Sequence, residues 1–322
     1  MRTILHPLAA ALMCLLGFAL PAKAATFPEK TIRFIVPNTA GSATDQLARA
    51  IASTVQQRSG VPVLVDNKPG ANGILAAESV ARSAPDGYTV LIGNSTTNAA
   101  NPSLYKKLSY DADKDFAPIS GLGRGSQVLV VNNDLPVKTI ADLIGLVKAN
   151  PDKYAYGSGG ASARVASETF AQMAGVKLLH VPYKGNPPAM ADLIAGQIQI
   201  FFPDMTTALP MIRGGKVRAL AVTSKTRSSY LPELPTLQEA GLSGYQAGYW
   251  FAAYAPAGTP PEIVSALNKL ISEGVRSEGA TTFFRNNGME AFATTPEQLR
   301  SFTREEIANW ATSAKAAGIQ PE

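Results

Sequence analysis

The sequence predicts an α/β protein with two lobes, each built on a mixed, mostly parallel sheet flanked by helices. Between residues 32 and 93, short apolar runs alternate with helical periodicity in the order β-α-β-α-β, which favours parallel strands and right-handed crossovers. A strand, a loop of small residues and a helix recur in that order after residue 154. A chain of 322 residues has room for two such lobes.

Residues 1–24 have the features of an export leader. Arg2 gives a positive start, Ala9–Leu20 is an apolar segment too short to span a membrane, and Ala22-Lys23-Ala24 is a small-x-small cleavage motif. We expect cleavage after Ala24 and a location in the periplasm.

The charge of the mature chain is small. The full sequence has 29 Lys and Arg against 24 Asp and Glu, and the leader removes two of the basic residues, so 27 oppose 24 and the net charge is +3. The basic residues are scattered, so we expect no nucleic-acid partner.

Loss of the leader also removes the only cysteine and one of the two histidines. Cys14 and His6 lie within it, which leaves His180 as the single histidine of the mature chain. Disulfides, zinc sites and iron–sulfur sites are therefore excluded, and we expect no metal and no cofactor. The sequence has neither a G-x-x-x-x-G-K-[ST] phosphate loop nor a G-x-S-x-G nucleophile motif, so no catalytic residue is assigned.

The first predicted strand leads through a loop of small residues into a helix. Ile32–Val36 is apolar, Pro37 ends it, and the spacing of Leu47, Ile51 and Val55 predicts one face of a helix. Free N–H groups and the positive end of a helix dipole then meet at one place, which is typical of an anion site. The alternative is a connection that is small only for packing. The candidate ligand-binding residues are Asn38, Thr39, Ala40, Gly41, Ser42, Ala43 and Thr44.

A second polar stretch follows the third predicted strand. Strands are predicted at Val61–Val65 and Tyr88–Gly93, with a helix at Ile74–Arg82 between them. Asn94–Asn98 then lies at the carboxyl end of a parallel strand, the edge at which open α/β sheets bind ligands. A solvated loop is the alternative. The candidate ligand-binding residues are Ser95 and Thr96.

The chain is predicted to cross between the lobes twice. The glycine-rich segment Gly121–Gly125, between predicted strands Phe116–Leu122 and Gln127–Val131, is interpreted as the first crossover, and the second is placed near Gly241–Gly248. These positions assign residues 25–124 and 247–322 to the first lobe and residues 125–246 to the second.

The second lobe contains a loop that matches the first. Tyr154–Gly157 is a predicted strand, Gly157–Ala163 is a loop of small residues, and a helix follows with Phe170 and Met173 on one side. Two such loops that face each other would hold one anion between two helix N-termini, whereas the alternative is a second packing loop. The candidate residues are Gly160, Ala161, Ser162 and Ala163.

Five later positions are assigned from local patterns. Asp204 is predicted to cap a short helix, or to hydrogen-bond a ligand or water at the cleft. Thr259 and Thr295 are each predicted to open a capping box ahead of a long helix. Tyr249 and Trp250, on an aromatic strand, either line the cleft or pack in the core.

Several motifs, taken in order, resemble one protein family. They are Phe27-Pro28-Glu29-Lys30, Asp66-Asn67-Lys68-Pro69-Gly70-Ala71-Asn72-Gly73, Ala84-Pro85-Asp86-Gly87-Tyr88-Thr89, Pro182-Tyr183-Lys184-Gly185 and Ala255-Pro256-Ala257-Gly258-Thr259-Pro260. The mature chain resembles Bug-type (Bordetella uptake gene) periplasmic solute-binding proteins, the receptors of tripartite tricarboxylate transporters. The resemblance implies a type II periplasmic-binding-protein fold, with two lobes around a ligand cleft that closes by hinge motion.

The resemblance also implies a function. It points to a monomeric, non-catalytic receptor that binds a small organic carboxylate and delivers it to membrane subunits of a transporter. Family ligands are held by backbone amides, hydroxyls and water from loops that match Asn38–Thr44 and Gly160–Ala163. Two alternatives stay open, a periplasmic sensor that feeds a signalling partner and a metal-independent enzyme that forms an anionic intermediate.

Three residues depart from the family pattern. Asn38 replaces an aromatic residue and Ser42 replaces a glycine, which makes the first loop more polar. Arg164 stands where the family commonly has a histidine. It is either a solvated helix residue or a cleft residue that binds a second carboxylate bidentately, which would favour a dicarboxylate or an aromatic acid over an amino acid.

Overall fold

The computed structural model describes residues 27–321, and the predicted leader and its cleavage site lie outside them. The strands are β1 (Ile32–Val36), β2 (Val63–Asn67), β3 (Thr89–Asn94), β4 (Phe116–Ser126), β5 (Val128–Val131), β6 (Ala155–Ser158), β7 (Leu179–Pro182), β8 (Ile200–Phe201), β9 (Arg218–Val222), β10 (Gly248–Pro256) and β11 (Met289–Ala291). The helices are α1 (Ala43–Ser59), α2 (Ile74–Ala81), α3 (Asn101–Leu104), α4 (Ile140–Ala149), α5 (Ala161–Ala174), α6 (Asn186–Ile194), α7 (Met205–Arg213), α8 (Pro261–Val275), α9 (Glu278–Asn286) and α10 (Pro296–Ala316).

The first sheet has the strand order β11-β4-β10-β3-β1-β2. Strand β1 pairs in parallel with β2 and β3, whereas β10 is antiparallel to β3 and β4. An apolar core on one face of the sheet includes α1 and α8, and the core on the other face includes α2 and α10. The parallel half of the sheet therefore places the carboxyl ends of β1 and β3 side by side.

The second sheet has the order β7-β6-β8-β5-β9, with β6 parallel to β7 and β8 and with β5 antiparallel to β8 and β9. The predicted α/β architecture of two lobes is confirmed. Met173, which was predicted on the buried side of α5, is 39% exposed. The reason is that the buried face follows the four-residue spacing of Ala166, Phe170 and Ala174.

Thr223 connects the two places where the chain passes between the sheets. Its hydroxyl accepts a hydrogen bond of 2.7 Å from the N–H of Gln127, between β4 and β5, and donates one of 2.9 Å to the carbonyl of Ala247, just before β10. The predicted lobe limits after residues 124 and 246 lie close to these two passages. The extent of each lobe stays a prediction.

The glycine-rich segment Gly121–Gly125 was predicted to be a crossover. It is instead the last part of β4. It pairs with β10 through residues such as Tyr249. Side chains are absent here because other groups fill the space. A Cβ at Gly121 would lie 2.2 Å from the carbonyl oxygen of Phe292, and a Cβ at Gly125 would lie 2.6 Å from the Tyr249 hydroxyl.

Two local predictions need smaller corrections. Strand β2 begins at Val63, two residues later than predicted. The Thr259 hydroxyl donates to the carbonyl of Pro256 at 2.7 Å and does not cap α8, whose N-cap is Pro260. Thr295 does form the predicted capping box at α10, together with Gln298.

Candidate functional site

The loop between β1 and α1 is organised by the N-cap of the helix. Ser42 is the N-cap, and its hydroxyl accepts a hydrogen bond of 3.3 Å from the N–H of Asp45. The Asp45 carboxylate in turn accepts from the N–H of Gly41 at 2.9 Å and pairs with Arg49 at 2.9 Å. Burial alone would raise the pKa of Asp45, but the hydrogen bonds from Arg49 and Gly41 hold it below its usual value. The carboxylate therefore has its own partners within the loop.

Asn38 ties this loop to the end of β3. Its side-chain oxygen accepts hydrogen bonds from the Asn94 amide at 2.9 Å and from the Thr44 hydroxyl at 3.0 Å. The Asn94 side-chain oxygen accepts from the N–H groups of Thr96 and Thr97. A polar residue at position 38 thus fixes two candidate segments of the first lobe against each other.

Asn94–Asn98 is not a solvated loop. Asn94 ends β3, residues Thr96–Ala100 form a π-helical turn, and Ser95 and Thr96 are 1% and 6% exposed. Their polar groups are buried where the second lobe approaches. The interpretation as a ligand-facing edge of the sheet fits this position better than the alternative.

The matching loop of the second lobe is shorter than predicted, because α5 already begins at Ala161. The N–H of Ala161 donates a hydrogen bond of 3.0 Å to the hydroxyl of Thr96 in the first lobe. A Cβ at Gly160 would lie 3.1 Å from the same hydroxyl. The two lobes therefore touch where the two candidate loops meet.

A small cavity of about 40 Å³ lies at this contact, and we call it the waist pocket. The first lobe contributes Asn38, Ser42, Ala43, Thr44, Ser95 and Thr96 to its lining. The second lobe contributes Gly160, Ser162 and Asp204. One water needs a volume of about 10–15 Å³, so the pocket has room for about three water-sized groups. That is the size of a carboxylate group with little else.

A larger cavity of about 280 Å³ lies beside the waist pocket, and we call it the distal pocket. The two pockets share Asn38, Thr96 and Gly160 in their linings. Arg164 and Ala161 line the distal pocket, so the structure supports the cleft alternative for Arg164 over a fully solvated position.

Four of the predicted residues line neither pocket. Ala40 and Gly41 are exposed at the tip of the first loop, and Ala163 packs in a core of the second lobe. Thr39 instead lies close to Gly185 of the opposite lobe. A Cβ added at Gly185 would be 2.6 Å from the Thr39 hydroxyl.

Asp204 caps a helix and also lies at the cleft, the two alternatives that the sequence left open. It caps α7 by accepting from the N–H of Thr207 at 2.8 Å, and its carboxylate also lines the waist pocket. Its other oxygen accepts a hydrogen bond from the Asn186 amide. Burial raises the pKa of Asp204, which favours the neutral form of the carboxyl.

Five further residues of the waist pocket were not assigned as ligand-binding residues from the sequence, namely Asn94, Gly159, Asn186, Tyr249 and Phe251. Asn94 and Asn186 contribute side-chain amides to it, and Tyr249 contributes a hydroxyl. Tyr249 is 5% exposed, and its hydroxyl has no hydrogen bond of acceptable geometry among residues 27–321. Asn186 opens α6 directly after a turn, and that strand–turn–helix pattern was the available signal.

A larger cavity, of about 800 Å³, is a groove beside the two interlobe passages, and it includes Ser126, Ala247 and Trp250 in its lining. Of the predicted ligand-binding residues, Ser162 alone contributes to it. The groove lacks the paired loops that define the waist pocket.

Comparison with known proteins identifies the family of this chain. Residues 47–319 match the family model described as tripartite tricarboxylate transporter family receptor. Protein BugT of Bordetella pertussis is 37% identical over 307 residues, which is 94% of this chain and 94% of BugT. The structure of R. palustris Rpa4515 with adipate has a TM-score of 0.89 at 36% identity and covers 92% of this chain and all of Rpa4515. The periplasmic binding protein BugD has a TM-score of 0.88 at 34% identity and covers 92% of this chain and all of BugD.

Proposed function

The chain belongs to the tripartite tricarboxylate transporter receptor family, and from that premise we propose that it captures a small organic carboxylate in the waist pocket. It then delivers the acid to the membrane subunits of a tripartite transporter. Family members such as BugD are periplasmic binding proteins, and we place this chain in the periplasm as a monomer, after cleavage at Ala24.

The observation that carries the proposal is the meeting of two helix N-termini from opposite lobes at one small cavity. Ala43, the first residue of α1, and Ser162, the second residue of α5, both line this cavity, and the first N–H groups of a helix have no carbonyl partner within it. Both positive dipole ends therefore favour an anion between them. The buried hydroxyl of Tyr249 supplies a further donor beside them.

We prefer a receptor to an enzyme on this scaffold. The matching family model describes a transporter receptor, and BugD, at 34% identity, is a periplasmic binding protein. A Ser–His contact does lie in the distal pocket, where the Ser158 hydroxyl is 2.7 Å from Nε2 of His180. We expect a bound acid to be recovered unchanged after long incubation, and its turnover would instead support the enzyme.

A thermal-shift screen of the mature protein tests the proposal. Mono-, di- and tricarboxylates are compared with their neutral amides at equal concentration. A ligand that binds the folded state raises the melting temperature by mass action, so at least one acid should do so while its amide does not. If no carboxylate raised it, the proposed function would be wrong.

Transport and sensing differ in what the cell does with the acid. None of the helices within residues 27–321 has the length and apolar character of a membrane span. Deletion of the gene should abolish growth on the bound acid if the chain serves transport. Growth that persists, together with a lost transcriptional response to the acid, would favour a sensor.

A further inference from the structure

Asp204 places an acidic group in the wall of the pocket that is proposed to hold an acid. Its side chain lines the waist pocket, and the residue is only 7% exposed. Its two oxygens accept hydrogen bonds from the N–H of Thr207, at 2.8 Å, and from the side-chain amide of Asn186. Both donors are neutral groups. When Asp204 is ionised, these hydrogen bonds therefore hold the carboxylate without supplying a counter-ion.

The groups that face Asp204 from neighbouring elements are also neutral. Gln127, between β4 and β5, pairs with it in an isolated antiparallel bridge. Tyr249 approaches from β10 of the first lobe, and burial, together with the charge of Asp204, raises the pKa of this tyrosine well above its usual value. Tyr249 therefore keeps its proton at neutral pH. Burial also raises the pKa of Asp204, which makes its carboxyl group the one beside the pocket that is most readily protonated.

The charges around the waist pocket match one anion and not two. Within residues 27–321 its lining includes no Lys, Arg or His, and the cations Arg164, His180 and Lys184 line the distal pocket instead. Each helix N-terminus is equivalent to about half a positive charge, so α1 and α5 together balance about one carboxylate. The start of α7, which Asp204 caps, offsets only part of the charge of that residue.

A ligand carboxylate in this pocket lies close to Asp204. A space of about 40 Å³ is only about 4 Å across, so the two groups fall within the roughly 4–6 Å at which like charges disfavour ionisation. Two ionised carboxylates would repel each other there. A proton on one of them removes the repulsion and creates a hydrogen bond between them, of the strong kind in which the acceptor is charged.

We propose that Asp204 takes up a proton from solvent when the waist pocket receives a carboxylate, and that its O–H then donates to an oxygen of the ligand. The hydrogen bonds from Thr207 and Asn186 remain, because a protonated carboxyl group keeps acceptor capacity on its oxygens. Asp204 thereby becomes a specificity-determining residue, since a neutral amide in the pocket neither draws in the proton nor forms the charge-assisted bond. This inference rests on the proposed function, because it assumes a carboxylate in the waist pocket.

Isothermal titration calorimetry on the mature protein tests the inference, in buffers of different ionisation enthalpy and across a range of pH. The probe is the acid with the largest thermal shift in the carboxylate screen, which includes lactate, benzoate, malate, adipate and citrate. Asp204→Asn keeps an oxygen to cap α7 and cannot ionise, and His180→Gln removes the histidine of the neighbouring distal pocket. The control is Asp134→Asn, which removes an exposed carboxylate that lines neither pocket.

A group that gains a proton on binding makes affinity fall as pH rises, by up to about tenfold per pH unit for one full proton. Between about pH 5.5 and 8.5, the affinity of the wild type should therefore fall about tenfold or more relative to that of Asp204→Asn. Titration of the acid itself acts on both proteins and cancels in this comparison. Asp134→Asn and His180→Gln should keep the proton uptake by Asp204 that the wild type shows.

Asp204→Ser supplies a second test if Asp204→Asn does not fold, because serine also caps helices and does not ionise in this range. Equal proton uptake by the wild type and the Asp204 variants would overturn the inference and leave the proposed function intact. Proton uptake that is lost in His180→Gln and kept in the Asp204 variants would do the same. Absence of binding by every carboxylate would overturn both.

Discussion

The hydroxyl of Thr96, at the end of β3, accepts a hydrogen bond of 3.0 Å from the N–H of Ala161, the first residue of α5 in the opposite lobe. Both residues are almost fully buried. One side-chain oxygen thus joins the two lobes at the point where the proposed carboxylate site lies. The two lobes are therefore in contact across the cleft, and this contact depends on a few groups that can be changed singly.

Thr96→Val keeps the shape of the side chain and removes the acceptor for Ala161. A hydrogen bond of this kind contributes about 0.5–1.5 kcal/mol, so we expect the closed form to be less favoured and ligand affinity to fall about 2- to 10-fold. Calorimetry with the best acid measures this change. The matched control is Thr312→Val, at an exposed threonine of α10. Equal ligand affinity of the two variants would show that the Thr96 hydroxyl does not contribute to binding.

Gly185→Ala tests the closeness of the lobes on the other side of the cleft. The backbone of Gly185 is extended, with φ 167°, so alanine introduces no strain, but its Cβ would lie 2.6 Å from the Thr39 hydroxyl. We expect little loss of thermal stability and several-fold weaker ligand binding, because Thr39 must shift or the lobes must stay apart. Gly145→Ala, where nothing lies within 4 Å, should bind as the wild type does. Wild-type affinity in Gly185→Ala would argue against closure at this contact.

Ser42 caps α1 and is also proposed to contact the ligand, and two substitutions separate these roles. As the N-cap of α1 it should lose about 1 kcal/mol of unfolding free energy in Ser42→Ala but only a few tenths in Ser42→Gly. Both variants remove the hydroxyl from the waist pocket, so both should lose ligand affinity equally. Urea denaturation and calorimetry measure the two effects. Affinity that followed stability instead would mean that the hydroxyl does not contact the ligand.

Asp204 should make stability depend on pH in a defined direction. Burial raises its pKa in the folded state, so its contribution is fully present below the unfolded pKa, near 3.8, and is lost as pH rises through the raised folded value. Asp204→Asn keeps an oxygen to cap α7 and cannot ionise. The melting temperature of the variant relative to the wild type should therefore increase as pH rises above about 4. Asp134→Asn, which removes an exposed carboxylate, is the control, and a parallel pH trend in both variants would contradict the assignment.

The sequence predicted those features whose cause is local. The starts of α7 at Asp204 and of α10 at Thr295 follow from side chains that cap a helix three residues away, and both predicted caps are present. The two-lobed fold followed from the alternation of strands and helices. The polar loops at the ends of β1, β3 and β6 were likewise visible as small polar residues after apolar runs.

Features that depend on distant partners could not be predicted in this way. The glycines of β4 are shaped by Phe292 and Tyr249, more than 120 residues further along the chain, so the segment looked like a crossover. Asn186 and Tyr249 reach the waist pocket only because the second lobe folds over the first. The hydrophobic periodicity of one segment does not indicate which distant residues will contact it.

A crystal structure of the mature protein with the acid that gives the largest thermal shift tests the central claim most directly. We predict one carboxylate of the ligand in the waist pocket, within hydrogen-bonding distance of N–H groups in the first turns of both α1 and α5. A ligand bound in the groove beside the interlobe passages, or held by one lobe alone, would contradict it.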